Sequence, residues 1–376
     1  MSGIYVAGHT GLVGSALVRK LKSLGQNNLI LRTHEQLDLT RQEQVEDFFF
    51  SERPSHVFLA AARVGGIWAN ITYPAEFIYE NLAIQTNVIH AAWKAKVERL
   101  LFLGSSCIYP RDCPQPIKEE YLMSGPLEPT NEPYALAKIA GIIMCRSYNL
   151  QHGTRFISVM PTNLYGPQDN FDLETSHVLP ALIRKFHLAH LAARGDWAAI
   201  EADQRRFGLI PPEYLSSLVA ICRSHGHPVH LPNADASRVS HISEALKPNY
   251  EAYPAVSVWG TGKVRREFMH VDDMADACVF LMQLPDSVLS QLFEPQQPCF
   301  INIGTGLDCS VEELAQLVAE VVGCKVPIRF DPSKPEGTPR KLLDVSRLRS
   351  LGWRPKIQLR EGLTWTYSWY LSQLDS

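Results

Sequence analysis

Short apolar runs alternate with longer amphipathic segments through the first half of the chain. Each run is nearly continuous in apolar residues, which is typical of a parallel strand that is buried on both faces. A segment at 74–94 has apolar spacing that predicts a long helix across one face of the resulting sheet. This alternation of strands and helices predicts an α/β fold with a doubly wound parallel sheet. The main predicted strands are Ile4–Ala7, Val57–Leu59, Leu100–Leu103 and Phe156–Met160.

A glycine-rich turn separates the first strand from a helical segment that begins at Ser15. Glycine permits a tight turn and a close approach of the backbone to a ligand, and the helix N-terminus then faces the pyrophosphate of a dinucleotide. We therefore predict a Rossmann-type fold with a dinucleotide site in this turn. The residues expected to contact the cofactor here are Gly8, His9, Thr10, Gly11, Leu12, Val13 and Gly14.

The second strand, Leu29–Leu31, ends on Arg32. An acidic residue at this position would bind the ribose 2′-hydroxyl of NAD, whereas an arginine can pair with the 2′-phosphate of NADP. Arg32 therefore favours NADP(H), although an ordinary solvated arginine at the end of a strand is the alternative.

Composition excludes several classes of protein. The 376 residues carry a net charge of −3, which gives no electrostatic basis for binding nucleic acid or an anionic membrane. No apolar run is as long as a membrane span. The eight cysteines are scattered without a Cys-x-x-Cys pair, so no metal site and no disulfide framework is expected. Because no signal-like segment precedes the first strand, we expect a cytoplasmic protein.

A tyrosine and a lysine lie four residues apart in a helix that Pro133 is placed to open. Tyr134 and Lys138 therefore share one helix face. An ammonium group beside a phenol stabilises its ionised form, so we expect the pKa of Tyr134 to be lowered towards neutrality. Ser105 and Cys107 follow a buried strand, at the edge of the sheet where ligands bind. Each of these residues also has a purely structural interpretation. Tyr134 and Lys138 could be an accidental surface pair, Ser105 could cap a turn, and Cys107 could be a buried thiol without a chemical role.

Together with the glycine turn, these residues resemble the GDP-L-fucose synthase family, a branch of the extended short-chain dehydrogenases/reductases. The resemblance extends from Ile4 to about Tyr370, except for a block at about 190–254. The motifs that carry it are Leu103–Pro110, Glu128–Ala135, Ala137–Gly141, Pro161–Pro167, Arg266–Phe268 and Gly337–Lys341.

This resemblance implies that GDP-4-dehydro-6-deoxy-D-mannose is converted to GDP-L-fucose. Epimerisation at C3 and C5 would use Cys107 and His177 as an acid–base pair. Tyr134 and Ser105 would hold the carbonyl oxygen, and Lys138 would bind the nicotinamide ribose during reduction at C4 by NADPH. The other residues that the resemblance assigns to the cofactor are Leu103, Gly104, Ser105, Ser106, Pro161, Thr162, Asn163, Leu164 and His177.

The resemblance also assigns residues to the GDP-sugar: Lys185, Trp259, Arg266 and Glu336. A core tryptophan is the alternative for Trp259. Three positions depart from the family pattern, since Lys185 replaces an arginine, Glu336 replaces an aspartate and Thr10 stands where several relatives have an arginine. A homodimer packed through helices such as 74–94 and 134–150 is expected.

Domain boundaries follow from a change of character after Gly166, where the chain becomes polar and rich in loops. We predict an NADP-binding domain at 1–166, to which the segment at about 268–305 returns. The remainder, 167–376, is predicted to be mainly a smaller α/β substrate-binding domain. The block at about 190–254 is too short and polar for a core of its own, so we predict a lid or an added interface.

Two other functions remain open at this point. One is a related nucleotide-sugar epimerase or dehydratase that recycles bound NAD, against which Arg32 and the Cys107/His177 pair argue. The other is a non-catalytic NADP-binding regulator, against which the joint presence of Ser105, Tyr134 and Lys138 argues.

Overall fold

A computed structural model describes residues 3–229, 253–292, 294 and 297–374. The chain divides into two compact units. The first unit comprises Met1–Asp169, Arg266–Asp308 and Arg340–Leu359, and the second comprises Asn170–Arg265, Cys309–Pro339 and Arg360–Ser376. The return of 340–359 to the first unit is a feature that the sequence analysis did not single out.

The described residues contain the following elements. The strands are β1 (Ile4–Ala7), β2 (Leu29–Ile30), β3 (His56–Leu59), β4 (Arg99–Leu103), β5 (Phe156–Pro161), β6 (Asn163–Tyr165), β7 (Val256–Trp259), β8 (Arg265–His270), β9 (Phe300–Ile303), β10 (Asp308–Ser310), β11 (Ile328–Asp331) and β12 (Arg340–Lys341). The helices are α1 (Leu12–Ser23), α2 (Gln42–Glu52), α3 (Ile67–Thr72), α4 (Pro74–Lys94), α5 (Glu132–His152), α6 (Val178–Ala193), α7 (Trp197–Phe207), α8 (Pro212–Ser224), α9 (Val271–Met282), α10 (Asp286–Leu292), α11 (Val311–Val322), α12 (Ser346–Ser350) and α13 (Leu359–Ser372).

The first unit is built on a six-stranded parallel sheet with the order β2-β1-β3-β4-β5-β9. One apolar core lies between this sheet and α2, α4 and α5, and a second lies between the sheet and α1 and α9. The predicted α/β doubly wound fold is therefore confirmed. Since the strand order reverses at β1, the topological switch point lies between β1 and β3, where such sheets bind ligands.

The second unit contains the parallel pair β7 and β11, together with α6, α7, α8 and α11. Its interior holds a buried ion pair, in which Arg184 Nε donates to Asp203 Oδ1 at 2.7 Å. Arg184 also donates to the carbonyl oxygens of Phe171 and Phe207, and Tyr370 donates to the second oxygen of Asp203. These bonds attach α7 firmly to α6.

The block at about 190–254 is described as far as residue 229. This part forms the end of α6, α7 and α8, and it buries side chains such as Trp197, Ile200 and Leu218 in the interior of the second unit. Residues 230–252 of the block, and with them the rest of the predicted lid, lie outside the described residues. No helix in the described part of the chain is both long and apolar enough to cross a membrane.

Candidate active site

The glycine turn lies at the carboxyl end of β1, beside the switch point. Gly8 has a φ of +79°, and a Cβ atom there would lie 2.8 Å from Ala61 Cα, which follows β3. A Cβ atom on Gly14 would lie 2.0 Å from the Gly8 carbonyl oxygen, so the first turn of α1 packs directly on the loop. The Gly11 N–H donates to the same oxygen at 3.1 Å. The turn is therefore packed tightly at the N-terminus of α1, where Leu12 begins the helix and a pyrophosphate can bind.

Arg32 lies two residues beyond β2. Its Nη2 pairs with Glu52 Oε1 at 2.5 Å, and its Nη1 donates to the Leu31 carbonyl at 2.9 Å. The guanidinium group also stands 5.8 Å from the centre of the Phe48 ring. An incoming 2′-phosphate would thus compete with Glu52 for this side chain.

The end of β4 is held tightly from two sides. The Gly104 N–H donates to the Val159 carbonyl at 2.8 Å, and the Leu103 carbonyl accepts from Lys138 Nζ at 2.9 Å. Ser105 then caps a 3-10 helix, Ser106–Ile108, because its Oγ accepts from the Cys107 N–H at 3.3 Å. The predicted residues from Leu103 to Cys107 therefore form one rigid corner at the carboxyl edge of the sheet.

Cys107 has an unusual electrostatic environment. Burial raises the pKa of its thiol, but the Lys341 ammonium, hydrogen bonds from Ser105 and Lys341, and the Arg266 charge outweigh burial, so the net pKa is lowered. Lys341 Nζ donates to Cys107 Sγ at 3.4 Å. The sequence analysis gave Lys341 no role, although it lies at the end of the Gly337–Lys341 motif.

Tyr134 and Lys138 lie on one face of α5, as their spacing predicts, and the Lys138 ammonium stands 5.9 Å from the Tyr134 ring centre. The predicted lowering of the Tyr134 pKa is wrong, however. Burial and the Cys107 charge raise this pKa, and a hydrogen bond with Ser105 only partly opposes them. Burial lowers the pKa of Lys138 to about 7, so Lys138 supplies less positive charge than the spacing argument assumed.

The residues after β5 lead into β6, which pairs with β8 outside the six-stranded sheet. The Thr162 N–H donates to the Ile303 carbonyl at 3.0 Å, and its Oγ1 donates to the Glu267 carbonyl at 3.2 Å. Asn163 Nδ2 donates to the same oxygen at 2.8 Å. Pro161 ends β5, and Leu164 pairs with Met269 in the short β6–β8 ladder. These contacts fix the backbone of the four predicted cofactor residues at the carboxyl edge.

Four predicted residues lie in the second unit, and three of them gather around the end of β7. Lys185 Nζ donates to the Ser257 carbonyl at 3.0 Å, and burial lowers its pKa to about 8. Trp259 is 45% exposed, so it is not a core tryptophan, and Lys334 Nζ lies 5.5 Å from its ring centre. Glu336 accepts from Thr261 Oγ1 at 2.9 Å. Lys334 is a further cation of this cluster that the sequence analysis missed.

His177, the fourth, is the N-cap residue of α6, and its carbonyl accepts from the Ala181 N–H at 3.1 Å. It belongs to the second unit, whereas Cys107 belongs to the first. Their action as an acid–base pair therefore stays a prediction.

All eight cysteines are free thiols. The described ranges contain no group of three or more His, Cys, Asp or Glu side chains that could hold a metal ion.

Comparison with known proteins adds the decisive observation. The model of the NAD dependent epimerase/dehydratase family matches residues 4–205 and 222–304. The chain belongs to this family. The interruption of the match falls inside the block at 190–254.

Close relatives and solved structures cover nearly the whole chain. It is 50% identical to a GDP-L-fucose synthase of Arabidopsis thaliana over 371 residues, which are 99% of this chain and 94% of the relative. It is 47% identical to the GDP-L-fucose synthase of Escherichia coli, with coverages of 99% and 97%. Among solved structures, a GDP-D-glycero-L-gluco-heptose synthase from Campylobacter jejuni, determined in the presence of NADPH, shares 41% identity with a TM-score of 0.81 and covers 98% of both chains.

Proposed function

We propose that this protein converts GDP-4-dehydro-6-deoxy-D-mannose to GDP-L-fucose by epimerisation at C3 and C5 and NADPH-dependent reduction at C4. Identities of 47% and 50% to GDP-L-fucose synthases over nearly the full chain support this substrate. The observation that carries the bifunctional reading is a cysteine of lowered pKa beside a Ser-Tyr-Lys arrangement. A simple carbonyl reductase needs the latter but has no use for a thiolate base.

Cys107 and Tyr134 divide the proton transfers. Both hydrogen-bond to Ser105, yet the pKa of the first is lowered and that of the second is raised. When two titratable groups of one site are shifted apart, one is suited to act as a base and the other as an acid. Cys107 therefore removes a proton from carbon next to the keto group, and Tyr134 donates a proton to the oxygen at C4. His177 would donate a different proton to the same carbon from the opposite face.

The glycine turn fits a dinucleotide, because Gly8 and Gly14 pack too closely on the chain's own backbone to carry a Cβ atom and the turn leads into the N-terminus of α1. NADPH, when bound, supplies hydride for the reduction at C4. The chain's own contribution is the fixed carboxyl edge from Leu103 to Ser106 and from Pro161 to Leu164, against which a nicotinamide ring can be oriented. Lys138, whose Nζ donates to the Leu103 carbonyl at 2.9 Å, would also bind the nicotinamide ribose. Arg32 would bind the 2′-phosphate.

The diphosphate and sugar of the substrate require cations and a flat apolar surface. Lys185 and Lys334 supply positive charge near the exposed ring of Trp259, and Arg266 adds positive charge beside Cys107. Glu336 is proposed to accept hydrogen bonds from the nucleotide, as the family resemblance implies.

We also propose a homodimer. The α5 residues Leu136, Ile143 and Leu150 recur at intervals of seven residues and are 46%, 37% and 56% exposed, and Tyr79 of α4 is 67% exposed. A second copy of the same surface would cover this apolar stripe. Ile143→Lys should then shift the mass measured by sedimentation to that of a monomer, and an unchanged mass would contradict the proposed interface.

The test of function is incubation with GDP-4-dehydro-6-deoxy-D-mannose and NADPH in deuterated water. We expect loss of NADPH absorbance and deuterium at C3 and C5 of a fucose-configured product. Cys107→Ser should suppress deuterium uptake, whereas Tyr134→Phe should suppress NADPH consumption more than exchange. Exchange with no net NADPH consumption by the unaltered chain would instead favour an epimerase that recycles its cofactor. Absence of both would contradict the proposed substrate.

A further inference from the structure

Lys341 and Cys107 are 234 positions apart in sequence but form a direct contact within the first unit, with Nζ donating to Sγ at 3.4 Å. The 3-10 helix that Ser105 caps holds the thiol from one side. Strand β12, which ends at Lys341, holds the ammonium from the other.

The backbone around Lys341 is fixed by three hydrogen bonds. The Leu342 N–H donates to Gln115 Oε1 at 2.9 Å, and the Leu342 carbonyl accepts from the Ile117 N–H at 2.7 Å. The next N–H, that of Leu343, donates to the buried Glu267 carboxylate at 3.0 Å. Lys341 is therefore not a freely moving surface lysine, since the main chain directly after it is held by all three bonds.

The groups that face Cys107 favour a thiolate. Lys341 approaches from β12 and Arg266 from β8, and both are cations. From α5 the Tyr134 phenol faces it, and burial and the Cys107 charge raise the pKa of this phenol, so that group remains uncharged. The Ser105 hydroxyl adds a hydrogen bond. A thiolate in such surroundings reacts faster than a buried structural thiol.

We propose that Lys341 is a positioning residue that keeps Cys107 as a thiolate for the proposed epimerisation. In that step the C–H bond breaks, its proton forms an S–H bond with Cys107, and its electron pair moves onto the keto oxygen as an enolate. The charge of Lys341 disfavours the neutral thiol and so promotes loss of that proton from Cys107 to solvent, which restores the thiolate. The chemical role rests on the proposed function, but the ion pair itself does not.

The pair can be tested without substrate, by alkylation of the full-length chain with iodoacetamide over a range of pH. Tryptic cleavage gives a peptide, 100–111, in which Cys107 is the single cysteine, and a neighbouring peptide, 112–118, that carries Cys113. Burial raises the pKa of Cys113, so this residue serves as an internal reference. Mass spectrometry of the two peptides then reports both thiols in one sample.

We expect Cys107 in the unaltered chain to be alkylated at lower pH than Cys113. Lys341→Met should raise the pH midpoint of Cys107 by about 1–3 units, because a neighbouring opposite charge shifts a pKa by about this much. At neutral pH a smaller fraction of Cys107 would then be thiolate, so its alkylation rate should fall. The fall should be only about tenfold, because a less acidic thiolate is intrinsically more nucleophilic. Lys341→Arg should keep the low midpoint. Lys356→Met, which removes a surface lysine of the same unit that is 70% exposed, should leave it unchanged.

Two results would overturn the proposal. One is a Cys107 midpoint in Lys341→Met, and in Lys341→Gln as a second neutral variant, that equals that of the unaltered chain. The other needs no variant and is a Cys107 midpoint in the unaltered chain at or above that of Cys113. Faster alkylation of Cys113 in a variant would reveal unfolding of that variant. In that case the Cys107 midpoints of the unaltered chain and of Lys341→Arg decide whether the proposal holds. If the low midpoint is found but the GDP-sugar is not turned over, the proposed function fails while the ion pair stands.

Discussion

The buried ammonium group of Lys138 is expected to lower the stability of the ligand-free protein. Its side chain is 3% exposed, and Nζ donates to the Leu103 carbonyl while lying 4.9 Å from the centre of the Phe102 ring. A buried ammonium loses its hydration, and one neutral carbonyl replaces only part of it. Replacement by methionine, which is similar in length and apolar, removes the charge and keeps most of the packing.

The size of the effect follows from the pKa. Burial lowers the pKa of Lys138 from 10.5 to about 7. The folded chain therefore binds fewer protons at this site than the unfolded chain between those two values, so the free energy of unfolding rises with pH across that window. For one such group the rise between pH 7 and pH 9 is about 2 kcal/mol. Lys138→Met should abolish this rise. The variant loses a hydrogen bond worth about 1 kcal/mol, but it should still be more stable than the unaltered chain at neutral pH by about 1–3 kcal/mol.

Urea unfolding of the ligand-free protein at neutral and alkaline pH measures both quantities. Lys94→Met is the matched control, because this lysine is 48% exposed and pairs with Glu46 at the surface. The control should show the same pH dependence as the unaltered chain. Parallel pH dependence in Lys138→Met and the unaltered chain, or a Met variant that is less stable at neutral pH, would refute the reasoning.

Three other predictions concern the cofactor site and the second unit. Gly14→Ala should lower the stability of the ligand-free chain by about 1–3 kcal/mol, because its Cβ would overlap the loop backbone; Gly11→Ala, whose Cβ would have its nearest neighbour at 3.6 Å, should leave urea unfolding unchanged. Arg184→Met should destabilise by about 3–5 kcal/mol in the same assay, because it leaves a buried carboxylate unpaired, whereas Arg205→Met at the surface should have little effect. Arg32→Ala should raise the KM for NADPH by about tenfold and leave that for NADH unchanged, and equal effects on both would contradict a 2′-phosphate contact.

The parts of the fold that sequence predicts well are those that depend on local pattern. The helix predicted at 74–94 is observed as Pro74–Lys94, because its proline starts it and its apolar spacing continues to its end. The strand predicted at Leu100–Leu103 is observed as Arg99–Leu103 because it is apolar throughout, as burial on both faces requires. The segment at 340–359 is short and mixed in character, so nothing in its pattern indicated that it belongs to the first unit.

In the candidate site, too, the features with a local sequence pattern could be predicted and those that depend on the whole fold could not. Helical spacing placed Tyr134 and Lys138 side by side, but the expected lowering of the Tyr134 pKa was wrong, because it assumed a fully charged lysine in a hydrated setting. Burial depends on the whole fold and has no local signal. Lys341 could not be assigned for a related reason, since its contact with Cys107 joins positions 234 apart.

The positive charge around the shared Ser105 explains why its two neighbours shift in opposite directions. On the side of Cys107 it comes from Lys341 and Arg266, whereas on the side of Tyr134 the nearby Lys138 is held partly neutral by burial. The thiol therefore ionises first, and burial together with the charge of Cys107 keeps the pKa of the phenol raised, so that it stays protonated. If Cys107 accepts a proton from carbon, as proposed, that charge would be lost and Tyr134 would release its own proton more easily. The same electrostatics thus favour deprotonation at carbon before proton donation at C4, which is the order that epimerisation followed by reduction requires.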